Sequence, residues 1–124
     1  MIRIKRIYDA PSRNDAYRAL VDRLWPRGIK KEKAGIDLWL KDAAPSDELR
    51  KWFNHEPQKW GDFRKRCFAE LKHKQEILGP IVQKHGNAVT LLCGAKNQQN
   101  NNAVALKEYL AKKMEANNEK SMDR

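Results

Sequence analysis

The sequence predicts an α/β fold: a small, open, mainly parallel sheet with flanking helices in a single domain. Three observations carry this. Residues 88–93, Ala-Val-Thr-Leu-Leu-Cys, form a nearly unbroken apolar run between Gly86-Asn87 and Gly94, the pattern of a strand buried on both faces, as central parallel strands are. A polar loop then leads into Ala103, Leu106, Leu110 and Met114 at helical spacing, so strand, loop and helix follow as half a βαβ unit. Finally, 124 residues with 40% hydrophobic content fill one core and are too few for two.

The elements follow in order. Ile2 to Tyr8 alternates apolar with basic residues and reads as a strand. Residues 9–15, with Pro11 and Asn14-Asp15, form a turn-rich loop of some length rather than a tight hairpin. Tyr17 to Leu24 is a second strand-like run, polar at its start and apolar at its end. Pro26, Gly28 and Gly35 surround a charged cluster in a connection with room for one helical turn, and the short apolar segment 37–42 is a candidate third strand. Ser46 ahead of Asp47 and Glu48 marks a helix start over 46–53, because its hydroxyl can accept from an orphan N–H and acids suit the positive end of the dipole.

Pro57 opens a longer helix in which Trp60, Phe63, Cys67, Leu71 and Leu78 form one apolar stripe. Gly79-Pro80 is expected to interrupt it, either by a kink or by starting a second short helix that ends before Gly86. The C-terminal helix should pack back on the sheet. The domain is expected to span 1–114, with 115–124 a polar tail that frays.

Composition limits the function classes. No apolar run approaches the ~18 residues of a membrane span, and Arg3, Lys5 and Arg6 interleaved with Ile2, Ile4 and Ile7 make a strand pattern, not a secretion signal. The expectation is a cytoplasmic protein without membrane contact. Cys67 and Cys93, two thiols far apart in sequence, suit a reducing compartment and support neither a disulfide framework nor a zinc knuckle. The chain carries a net charge of +10, concentrated in residues 1–33, where ten Lys and Arg face four Asp and Glu. Such a surplus attracts nucleic acid or phosphorylated ligands.

The candidate site lies at the strand exits, since ligands of open α/β sheets sit beyond the carboxyl ends of the strands. The second strand delivers Asp22, Arg23, Trp25 and Arg27, segment 38–40 delivers Lys41 and Asp42, and the buried strand delivers Lys96, Asn97 and an asparagine-rich loop to Asn102. Guanidinium groups and an indole ahead of a Pro-Gly loop suit an anionic or planar ligand. The competing reading has Arg23 and Arg27 holding the loop through Asp22, Asp42 or backbone carbonyls, with Trp25 as packing. Asp22 beside two arginines is expected to favour its ionised form, suiting an orienting role.

Several blocks in one order, Leu20 to Gly28, Trp39 to Asp42 with Ala44-Pro45-Ser46, Glu48 to Arg50, Trp52-Phe53 with His55, and Leu91-Leu92 through Lys96 with Asn102-Ala103, resemble the YeaO-like branch of the domain-of-unknown-function 488 family. The resemblance spans about residues 2–111. It implies a compact cytoplasmic bacterial α/β protein, and it places signature positions on Asp22, Arg23, Trp25, Pro26, Arg27, Gly28, Lys41, Pro45, Ser46, Leu49, Arg50, His55, Lys96 and Asn97. This chain departs from the family pattern at Cys93, where relatives often carry an aromatic, and at Glu56-Pro57, where Asp-Pro is common.

Catalytic signatures are missing. A phosphatase- or rhodanese-like anion loop needs Arg six positions after the cysteine, and Gln99 stands there after Cys93. Walker, GxGxxG and GxSxG loops are absent, and His55, His73 and His85 lack the spacing of metal ligands. No cofactor is indicated. Asp22 and His55 are the candidates for acid–base work, His55 with helix capping as its alternative.

Two functions fit. The preferred one is a pocket that binds, or binds and acts on, a phosphate- or carboxylate-bearing small molecule, with Arg23, Arg27, Lys41 and Lys96 as the clamp, Asp22 and Asn97 orienting, and Trp25 and Arg50 alongside; whether a reaction occurs there is left open by the sequence. The alternative is a basic nucleic-acid-binding or interaction module built on the N-terminal third.

Overall fold

Four short strands, β1 (Arg3–Arg6), β2 (Tyr17–Leu20), β3 (Leu38–Trp39) and β4 (Val89–Cys93), form one sheet in the order β1-β4-β2-β3, every pair parallel. The computed structural model describes residues 2–122, and side chains as far as residue 116. The apolar run 88–93 thus becomes the central strand, buried along its whole length. Its neighbours lie about 70 to 90 positions away, as Ile4↔Leu91 and Ala19↔Leu91 show. Edge strand β3 is only two residues long, which limits the unpaired edge it offers.

The strands end earlier than their apolar runs. The Val21 N–H still donates to Leu92 O at 2.9 Å, but the Val21 carbonyl accepts from the Asn102 side-chain amide at 2.9 Å instead of from a strand. Residues 22–24, read as strand from hydropathy, therefore leave the sheet. At β1 the last ladder bond runs from Ile7 N–H to Cys93 O, and a turn from Asp9 N–H to Arg6 O stops the run before Tyr8.

Among the described residues five α-helices flank the sheet: α1 (Lys31–Ala34), α2 (Asp47–Phe53), α3 (Trp60–Leu71), α4 (Gln75–His85) and α5 (Asn102–Met122). Ser46 caps α2 as expected: its Oγ accepts from Leu49 N–H at 3.2 Å while donating to Glu70 at 2.7 Å. Of the expected tail over 115–124, the side chains from 117 onward and residues 123–124 fall outside the described residues.

The break in the long helix is not at Gly79-Pro80. α3 stops at Leu71 and α4 starts at Gln75, with Pro80 inside it. Tight bonds from His73 N–H to Glu70 O and Lys74 N–H to Leu71 O close α3, and Lys74 leaves helical geometry at φ −120°. Its ammonium reaches the carbonyls of Asp42 and Ala44, which ties the break to the segment before α2. Pro80 is tolerated because the bond it forfeits would go to Glu76 in the exposed first turn of α4.

One sheet face, with Ala19, Val21, Leu91 and Cys93, joins α4 and α5 through Leu78, Leu106 and Leu110 in the main core. The other face, with Ile7, Leu20 and Leu92, is covered by Trp25, Ile36 and Trp39. Loop 9–15 closes that second face through a polar knot. The Asp15 carboxylate pairs with the Arg18 guanidinium and with Lys5 Nζ at 3.1 Å, and accepts from Ser12 N–H at 2.9 Å. Arg18 also donates to Gly35 O at 2.7 Å and Ala34 O at 3.2 Å. Burial pushes the Asp15 carboxyl up, but the Ser12 N–H and the Lys5 and Arg18 charges outweigh it and hold it below its ordinary value.

Candidate functional site

Parallel pairing sends every carboxyl end to one edge of the sheet, and a cleft opens there. The exit of β2 contributes Asp22, Arg23 and Leu24. The exit of β4 contributes Gly94 to Asn97, and the entry to α5 adds Asn101 and Asn102. Across from them stand Arg50 and Phe53 of α2, then His55 and Phe63. The cleft encloses about 570 Å³, within the range of small-molecule sites.

Asp22 clasps the two central strand exits. Its Oδ2 accepts from Gly94 N–H at 2.7 Å and its Oδ1 from the Asn102 amide at 3.2 Å. A Cβ on Gly94 would stand 3.3 Å from that carboxylate, so this close approach suits glycine. The expected pairing of Asp22 with the adjacent arginines is corrected. Burial raises its carboxyl above the ordinary value, and the Gly94 N–H, the Asn102 amide and the charge of His55 oppose this only in part. Residues adjacent along an extended chain point apart, and neither Arg23 nor Arg27 reaches the Asp22 carboxylate among the described ion pairs.

Arg23 spends Nε on Pro45 O at 3.1 Å and an Nη on Ala44 O at 3.2 Å, with Asp47 at 4.0 Å. It braces the cleft wall while lining it. Arg50 keeps a 3.4 Å contact to Asp47 on the exposed rim. Lys96 has no hydrogen-bond or ion-pair partner among the described residues. Asn97 shapes the loop: its Oδ1 accepts from Gln99 and Asn100 N–H at 2.9 and 3.0 Å. Asn101 caps α5 by accepting from Val104 N–H at 3.0 Å.

Trp25, Arg27 and Lys41 do not line this cleft. The Trp25 indole donates to Ile29 O at 2.7 Å and meets Trp39 edge-on at 5.3 Å over the second sheet face. Lys41 Nζ lies 5.2 Å over the Trp39 ring, and the Arg27 carbonyl accepts from Tyr8 Oη. Gly28, at φ 77°, permits the turn that carries this loop over the sheet. The four-cation clamp is therefore not assembled: Arg23 and Lys96 meet in the cleft, joined there by Arg50 and His55.

Residues 1–124 match the family described as "Inactive DUF488-N3 subclade". The chain belongs to this family. It is 46% identical over 112 residues to the uncharacterized protein YeaO of Escherichia coli, across 88% of this chain and 96% of that one. Uncharacterized proteins of Mycobacterium tuberculosis and Mycobacterium bovis are each 34% identical over 110 residues, across 88% of this chain and 92% of theirs. No solved structure matches. Within this DUF488-N3 protein no helix of the described residues is long and apolar enough to cross a membrane.

Both thiols of this DUF488-N3 chain are buried. Burial, reinforced by the charge of Asp22, pushes Cys93 up to about 11, and burial beside Glu70 pushes Cys67 up to about 12. Neither supplies a thiolate at neutral pH. Phe53 and Phe63, stacked at 4.0 Å, carry in the sequence only the marks of helix core or family block, yet both reach the cleft. The apolar stripe gives no sign that its end faces a cavity.

Asn54 and His55 both adopt positive φ, 47° and 57°, directly after α2. Two consecutive non-glycine residues there store strain of about 1–3 kcal/mol each, and such strain gathers at sites. It carries His55 to the cleft. His55→Gly is therefore expected to keep thermal stability within about 1 kcal/mol of the parent while weakening ligand response. Greater destabilisation in urea titrations would identify His55 as a structural side chain instead.

Proposed function

We propose that this protein binds a phosphate- or carboxylate-bearing small molecule in the cleft without converting it. The observation that carries this is the convergence of Arg23, Arg50, His55 and Lys96 on one enclosed space beyond the carboxyl ends of the strands. Asp22 is the sole acidic lining residue, and its two oxygens already accept from the Gly94 N–H and the Asn102 amide. Binding without turnover is supported by the protonated state of Cys93 and agrees with the word "inactive" in the family description.

The nucleic-acid reading draws less support. Of the N-terminal cations, Lys5 and Arg18 are committed to Asp15, Arg23 to carbonyls of 44–45, and Arg6 to Ala95 O at 3.2 Å. The other six, Arg3, Arg13, Arg27, Lys30, Lys31 and Lys33, enter no ion pair among the described residues, and this reading rests on them.

Thermal melts with a panel of phosphomonoesters and carboxylates test the proposal. A ligand at 100-fold its Kd adds about 2.7 kcal/mol, which at this size is a shift of roughly 10 °C. The double variant Arg50→Ala/Lys96→Ala should lose most of that shift. An unchanged shift in the variant, or a silent panel, rejects the cleft as an anion site. A steep fall of duplex DNA affinity with salt, without any small-molecule response, favours the basic-module alternative.

A further inference from the structure

We infer that the anionic group recognised here is carried on a flat apolar body, an aromatic ring bearing a carboxylate or a phosphate; this rests on the anion reading above. The cleft is divided by chemistry. Cations stand at the rim, where Arg50 is exposed and Lys96 is unpaired among the described residues. Arg23 has only part of its guanidinium left, because two of its nitrogens hold the Pro45 and Ala44 carbonyls. This supply neutralises one anionic group and is thin for a polyphosphate.

Most of the remaining cleft surface is apolar. Phe53 and Phe63, a stacked pair at 4.0 Å and 11° that is only 5% and 2% exposed, back the wall, and Pro45 and Ala95 continue the surface. Leu24 is 60% exposed, one of only two large hydrophobic side chains so exposed among the described residues, and it too borders the cleft. An inorganic anion would leave this surface wet. An aromatic ring would cover it.

The ring also has a direction. Asp22 and Asn102, held together at 3.2 Å, stand at the junction of the β2 and β4 exits. A carboxyl group there repels a second anion when ionised and welcomes a hydroxyl or amine donor in either state. The ligand accordingly carries its charge toward Arg50 and Lys96, and a neutral edge or a donor toward Asp22.

Calorimetric titration of the full chain with inorganic phosphate, phenyl phosphate, acetate and benzoate tests this. Burying a phenyl ring is worth roughly tenfold or more in affinity, so phenyl phosphate should exceed phosphate, or benzoate exceed acetate, by at least that factor. Whichever aryl probe binds tighter identifies the anion type. Leu24→Ser, at a position too exposed to endanger folding, should cost the aryl probe about threefold and leave the small anion unchanged. Arg50→Ala should weaken both. Equal affinities for the aryl and small anions, both lowered by Arg50→Ala, overturn the aromatic inference and leave the anion site standing. If none of the four binds, both readings fall.

Discussion

Replacing Asp15 by Ala is expected to destabilise the domain by about 3–5 kcal/mol, the cost of removing one partner from a buried ion pair. Asp15 and Arg18 are 4% and 5% exposed. Without the carboxylate, Arg18 keeps only the Gly35 and Ala34 carbonyls, Lys5 keeps only Ala10 O, and Ser12 N–H loses its acceptor. The loop over the second sheet face then has little left to hold it. The same group sets an acid limit. Its folded value lies below its unfolded one, so its contribution is complete above the ordinary carboxylate value and is lost as pH falls from there through the lowered value. Asp15→Asn should flatten that acid limb. Urea midpoints between pH 7 and pH 3 report both effects, and a loss under about 1 kcal/mol at pH 7 for Asp15→Ala would show the knot to be dispensable.

Asp22→Ala is expected to have the largest effect on the cleft. It strands the Gly94 N–H and removes one of two acceptors from the Asn102 amide, at about 1–3 kcal/mol, partly offset by relief of a buried charge. The β2 and β4 exits lose their clasp, so ligand affinity should fall at least about tenfold, more than for any rim cation alone. Asp22→Asn separates shape from charge. Burial raises the Asp22 carboxyl, so the folded form holds the proton more tightly, and stability falls as pH rises from the ordinary carboxylate value through the raised one. The Asn variant should lose that slope and retain most of the fold. Ligand affinity unchanged in Asp22→Ala would place the site elsewhere.

Both side chains show how a sequence hides its long-range partners. Asp15 reads as a turn residue, and its capping bond with Ser12 is indeed local. Its pairing with Lys5 depends on β1 and β2 flanking β4, which brings loop 9–15 down across the sheet. Asp22 reads as the neighbour of Arg23, but its contacts are with Gly94 and Asn102, 72 and 80 positions away. The helix break at 72–74 carries no glycine or proline. Lys74 contacts with the 42–44 segment mark it, whereas Gly79-Pro80, the expected breaker, lies where a lost bond costs least. Trp25, Arg27 and Lys41 have the chemistry of a site, and the turn at Gly28 and the second-face core direct them elsewhere.

Patterns whose meaning lies within a dozen residues were readable without coordinates: the doubly buried strand β4, the Ser46 cap, the spacing of α5, the parallel α/β class and the sheet edge at which the cleft opens. Periodicity and capping are short-range physics, and each speaks through its own segment. Which charged and aromatic side chains share the cleft depended on strand order and on the direction of each exit. Those are settled by packing one apolar face against another, and hydropathy records that a residue is buried without recording what it touches.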